Sequence, residues 1–151
     1  MVGGQVDDLA LEHSSGEART LTSLEDLHQR KTGALFRAAL RMGVLAAHSG
    51  KEAPASPELL EHIERYGRCL GLLFQITDDL LDAVGQAERT GKRVGKDAVR
   101  GKLTYPALLG VAESRRRAKN LGEEARGHLR PFGDSADRLL ALVNYIEQRD
   151  R

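Results

Sequence analysis

Between Leu21 and Ala47 the apolar side chains Leu24, Leu27, Leu35, Ala38, Met42 and Leu45 recur along one helical stripe, and Gly50, Pro54 and Pro57 end the run. Ser56-Pro57 begins a second helix, with serine as the N-cap and proline at the first helical position, where its missing N–H is harmless. The apolar period then continues from Glu58 to Val84, long for a globular helix, with Leu59, Ile63, Tyr66, Leu70, Leu73, Thr77, Leu80 and Val84 on one side. Residues 85–102 read as a loop punctuated by Gly91, Gly95 and Gly101. Pro106 opens a helix to about Leu129, and Ser135 caps a last one through Ile146. Residues 1–20 carry loop chemistry, and no segment alternates apolar and polar positions as a strand does. The prediction is an all-α chain, a single unit over 1–151 with short connections.

The long helix carries an exception to its apolar character. Gln75, Asp78, Asp79 and Asp82 fall within an arc of about 100° on the side away from the stripe. Carboxylates one turn apart repel, and no Lys or Arg lies one turn away on the same helix to relieve them. Neutralisation must come from an ion or from another segment. Magnesium takes one or two carboxylates together with waters and phosphate oxygens, so an open carboxylate face suits a metal shared with a phosphate ligand. A solvated acidic face would show the same D-D-x-x-D spacing, and the next segment tips the balance.

From Gln86 to Lys102 stand Arg89, Lys92, Arg93, Lys96, Arg100 and Lys102 against Glu88 and Asp97, a local balance of 6 − 2 = +4. Glycine lets backbone approach a ligand closely, and lysine supplies point charges for phosphate oxygens. The spacing is not that of a nucleotide P-loop, because five residues separate Gly95 from Gly101 and Leu103 follows Lys102. Lys31 is a third feature. It lies on the stripe between Leu27 and Leu35, where it must snorkel or meet an anion. Arg115, Arg116 and Arg117 spread round their helix and read as solvated surface.

Composition narrows the setting. A net charge of +1 and a pI near 7.9 give no general argument for nucleic acid or a membrane surface, and the few aromatics cannot build a base-stacking platform. No apolar run approaches the ~20 residues of a membrane span, and the N-terminus lacks the pattern of a signal peptide. The lone Cys69 reads as a small buried hydrophobe in a reducing, cytoplasmic compartment. The histidines at 13, 28, 48, 62 and 128 show no i, i+3 or i, i+4 pairing and no cysteine at zinc spacing, which predicts no zinc site. No G-x-S-x-G elbow appears.

Four segments in order resemble one family. Met1-Val2-Gly3-Gly4-Gln5 with Asp8-Leu9, then Lys31-Thr32-Gly33-Ala34-Leu35, then Phe74-Gln75-Ile76-Thr77-Asp78-Asp79-Leu80-Leu81-Asp82, and finally Gly91-Lys92-Arg93 through Gly95-Lys96-Asp97 to Gly101–Gly110 are similar to motifs of the trans-polyprenyl diphosphate synthases. These are the farnesyl and geranylgeranyl diphosphate synthases. The resemblance implies an all-α fold, the C-terminal half of the isoprenoid-synthase helical bundle, with Asp78, Asp79 and Asp82 as magnesium ligands. It implies that Lys31, Lys92 and Lys102 hold the allylic diphosphate and that Lys31, Thr32 and Gln75 serve catalysis. The implied reaction ionises an allylic diphosphate, joins the cation to isopentenyl diphosphate and releases a proton. Homodimers are common in the family.

The family's first aspartate-rich motif has no counterpart in the chain. Asp7-Asp8 lacks the further aspartate at helical spacing and stands in the Gly-Gly-Gln segment. The resemblance therefore implies about half of a synthase, incomplete and inactive alone. The alternative is a non-catalytic partner subunit or diphosphate-binding module that modulates a full-length synthase.

Overall fold

The structure, a computed structural model, describes residues 20–90 and 103–149. Helix α1, Leu21–His28, passes through a π-helical turn, Gln29–Gly33, directly into α2, Ala34–His48. Helix α3 is Pro57–Thr90, α4 is Tyr105–Leu109 and α5 is Val111–Leu129. A 3₁₀ segment, Arg130–Ala136, leads into α6, Asp137–Gln148. The described residues are helical with no strand among them, as predicted.

Local chemistry sets several of these ends. Thr20 and Ser23 form a capping box, Ser23 N–H donating to Thr20 Oγ1 at 3.1 Å and Thr20 N–H to Ser23 Oγ at 3.0 Å. Leu59 N–H donates to Ser56 Oγ at 3.2 Å, so the predicted Ser56-Pro57 start holds. Helix α3 runs to Thr90, beyond the expected end at Val84, because Gln86, Ala87, Glu88 and Arg89 are good helix formers and one glycine at 85 does not stop them. Residues 85–90, expected in the loop, are thus helical, and the remainder of that expected loop lies outside the described residues.

Two other expectations are corrected. The predicted helix from Pro106 to Leu129 is broken at Gly110, whose φ of 79° is open to glycine, and Thr104 caps the short α4. Ser135 caps nothing. Helix α6 starts after Ala136, which is buried and draws the junction into the core while Ser135 stays in the 3₁₀ turn.

Helix α3 is the axis of the bundle, with α2 and α5 along its flanks and α4 and α6 against it. Tyr66, Leu70, Leu73, Ile76 and Leu80 of α3 meet Leu24 of α1, Tyr105 of α4, Ala118 and Leu129 of α5, and Val143 and Ile146 of α6. Tyr66 also donates its hydroxyl to Leu139 O at 2.9 Å, so its polar tip is satisfied inside the core. Helix α5 buries Ser114, Ala118, Gly122 and Ala125, small residues three or four apart that let it lie close.

The stripe predicted across Leu21–Ala47 is not one face. Leu24 and Leu27 are buried, whereas Leu35, Met42 and Leu45 are 51%, 63% and 49% exposed. The π turn inserts a residue between the two groups, and one extra residue rotates all that follows by roughly 100°.

Candidate functional site

The π turn is held against α3 at successive points. At its start Gln29 Nε2 donates to Arg68 O at 3.0 Å. At its end Gly33 meets Gly71 so closely that a Cβ on Gly71 would lie 2.8 Å from Gly33 Cα, a contact real side chains do not tolerate. The bare Cα of Gly71 permits this approach. Beside it Thr32 Oγ1 donates to the buried Gln75 Oε1 at 3.0 Å. Two residues that the resemblance implies for catalysis are therefore in direct contact, and half-buried Lys31 occupies the same turn.

The three aspartates have different surroundings. Asp82 is exposed and Asp78 half-buried. Asp79 is buried, and its Oδ2 accepts the Tyr105 backbone N–H at 3.0 Å. Tyr105 opens α4, so that carboxylate satisfies one of the N–H groups a helix start leaves over and favours its positive end. The two-sided picture of α3 thus fails at Asp79, because α4 covers that part of the predicted open arc. Gln75 is likewise enclosed.

The neutralising charge expected from an ion or another segment has a protein source. Arg149, just after α6, places Nη2 3.7 Å from Asp78 Oδ1 and its guanidinium 4.7 Å from the centroid of the Phe74 ring. That cation–π contact covers the apolar neighbour while the charge faces the carboxylate. Nothing in the local pattern near the C-terminus announced it. The close approach at Gly33 and Gly71 did leave a signal, since an isolated glycine inside a helical pattern marks a weak point unless packing requires it. Lys92 and Lys102 lie outside the described residues.

The sequence pattern of the polyprenyl synthetase family matches residues 1–133. The chain belongs to this family. Farnesyl diphosphate synthase of Escherichia coli (strain K12) is 42% identical over 155 residues, covering 100% of the chain and 49% of that relative. Among solved structures, an FPP/GFPP synthase from Zymomonas mobilis superposes with a TM-score of 0.78 at 37% identity, over 97% of this chain and 45% of the other. A geranyltransferase from Helicobacter pylori, complexed with magnesium and isoprenyl diphosphate, gives 0.71 at 28% identity over 97% and 45%. The chain spans about half the length of these polyprenyl synthetases and has their helical fold over that half. Among the described residues no helix is long and apolar enough to cross a membrane.

Proposed function

We propose that this chain forms one wall of a prenyltransferase site, which condenses an allylic diphosphate with isopentenyl diphosphate, and that it is incomplete when alone. The observation that carries this reading is the cross-helix pair Thr32–Gln75, which ties the turn bearing Lys31 to α3 one turn before Asp78. Family membership and the magnesium and isoprenyl diphosphate bound to the Helicobacter pylori geranyltransferase support it.

The residues present fit magnesium. Asp78 and Asp82 are hard oxygen donors one turn apart on an accessible face, which leaves the ion room for water and phosphate oxygens. Asp78, Asp79 and Asp82 would hold it, Asp79 while also anchoring α4. A bound magnesium would stabilise negative charge on the departing diphosphate. Lys31, with Lys92 and Lys102, would offer ammonium charge to the same oxygens. Thr32 and Gln75 orient each other, so their polar atoms are preset rather than gathered during reaction. Apolar side chains around them would keep water from the allylic cation.

A second reading, a diphosphate-binding partner that docks on a full-length synthase, is favoured by the apolar exposure of Leu35, Met42 and Leu45 on α2. That face also suits the homodimeric assembly implied by the family, and the single buried thiol suits a cytoplasmic setting. One experiment tests the main reading. Calorimetry of the purified chain with inorganic diphosphate should show weak binding that requires magnesium and is lost in Asp78→Ala. Radiolabelled isopentenyl and allylic diphosphates should give no product with the chain alone. Diphosphate binding indifferent to magnesium would refute the metal assignment, and product formation would refute incompleteness.

A further inference from the structure

A second group of metal-binding side chains stands apart from the aspartates. Cys69 of α3 meets Glu124 and His128 of α5, and one donor atom from each lies within 4.8 Å of the others. Cys69 is nine residues before Asp78, which is about 180° round the helix at 100° per residue. The two places therefore use opposite flanks of α3. Histidine spacing alone missed this group, because its cysteine is supplied by a different helix.

One pair of the three donors already stands near the separation that a metal site requires. Zinc-class ions hold sulfur near 2.3 Å and nitrogen or oxygen near 2.0–2.2 Å, which makes neighbouring donors roughly 3.3–3.6 Å apart. Glu124 and His128, one turn apart on α5, already bring Oε1 and Nε2 to 3.7 Å. The cysteine is 5% exposed and the His128 side chain 18%, while the Glu124 side chain is largely in solvent and can swing to close the remaining gap.

Access is open. A cleft of about 440 Å³ is lined by all three donors. Of the three arginines on its wall, Arg65 pairs with Glu61 at 2.5 Å and Arg117 with Glu25, while Arg68 adjoins Cys69 in the chain. Beyond His128, the His62 ring lies 6.2 Å away between centroids, and its Nδ1 is buried with no hydrogen-bond partner.

We propose that Cys69, Glu124 and His128 form a three-ligand site for a borderline-soft divalent cation of the zinc class, which clamps α5 to α3. Thiolate and imidazole select such an ion over magnesium, so the two flanks of α3 would take different metals. Binding replaces the thiol proton: the cysteine S–H gives S–M, and the proton leaves to solvent. Water completes the coordination.

Cobalt(II) titration of the purified chain under a non-thiol reductant tests this, since cobalt reports its ligands by absorption. The expected result is one equivalent with a thiolate-to-metal charge-transfer band, absent in Cys69→Ser and unaffected by Asp78→Ala or excess magnesium. Zinc should raise the melting temperature of the parent chain but not of Cys69→Ser. If Cys69→Ser does not fold by circular dichroism, His128→Gln and Glu124→Gln decide. Each should weaken zinc binding by more than about tenfold, the lower bound for loss of a mere outer-shell partner. Absence of the thiolate band, or unchanged zinc affinity in His128→Gln and Glu124→Gln, would overturn the assignment.

Discussion

Thr32 Oγ1 and Gln75 Oε1, 43 positions apart in sequence, are joined by a 3.0 Å hydrogen bond that ties the π turn to α3. Replacing Thr32 by Val leaves the largely buried Gln75 carbonyl without its donor and should cost about 1–3 kcal/mol in urea unfolding. Adding Gln75→Leu should then cost less than the sum of the single changes, because the orphaned partner is also gone. Strict additivity in that cycle would show that the pair does not interact.

Gly71→Ala should destabilise by about 1–3 kcal/mol, since the new methyl would drive α3 away from Gly33. Gly43→Ala is the control. Its Cβ would meet nothing within 4 Å, and alanine in a helix interior should add about 0.5–1 kcal/mol. Denaturation midpoints of the two variants should move in opposite directions.

The aspartates should separate by phenotype. Asp79→Ala strands the Tyr105 N–H and should cost about 1–3 kcal/mol of stability. Asp82→Ala, at an exposed position, should stay within about 0.5 kcal/mol of the parent while weakening magnesium-dependent diphosphate binding. Thermal melts and calorimetry on the same samples would distinguish them. Equal destabilisation by both would remove the distinction drawn at Tyr105.

Burial holds the Tyr66 hydroxyl well above its ordinary pKa near 10.0. The unfolded chain therefore loses this proton first as pH rises, and above about pH 10 it binds fewer protons than the folded chain. Stability is fully present below that pH and falls above it. Tyr66→Phe gives up the bond to Leu139 O, about 1 kcal/mol at neutral pH, but removes this alkaline loss. The stability gap between parent and variant should narrow above pH 10 in chemical unfolding followed by circular dichroism.

What could be read from sequence was mostly local. The helix start at Ser56-Pro57 rests on one side chain and one ring, and the structure reproduces it. A shared role for Lys31, Thr32 and Gln75 came through family resemblance, and the structure adds the hydrogen bond between Thr32 and Gln75. Asp79 was harder, because a wheel drawn with two sides assumes one neighbour while α3 has neighbours on several sides. Arg149 depends on where α6 ends relative to α3, which no local period encodes. The break at Gly110 hides within an apolar pattern that continues on both sides of it.

The π turn has a genetic consequence. Whether Leu35, Met42 and Leu45 face outward is decided by one residue upstream rather than by the composition of α2 itself. Deletion of a single codon between Gln29 and Gly33 would leave every residue of α2 unchanged yet turn the whole helix by about 100° relative to Leu24 and Leu27. An alignment of α2 alone would register no mutation, although the surface it offers had been exchanged.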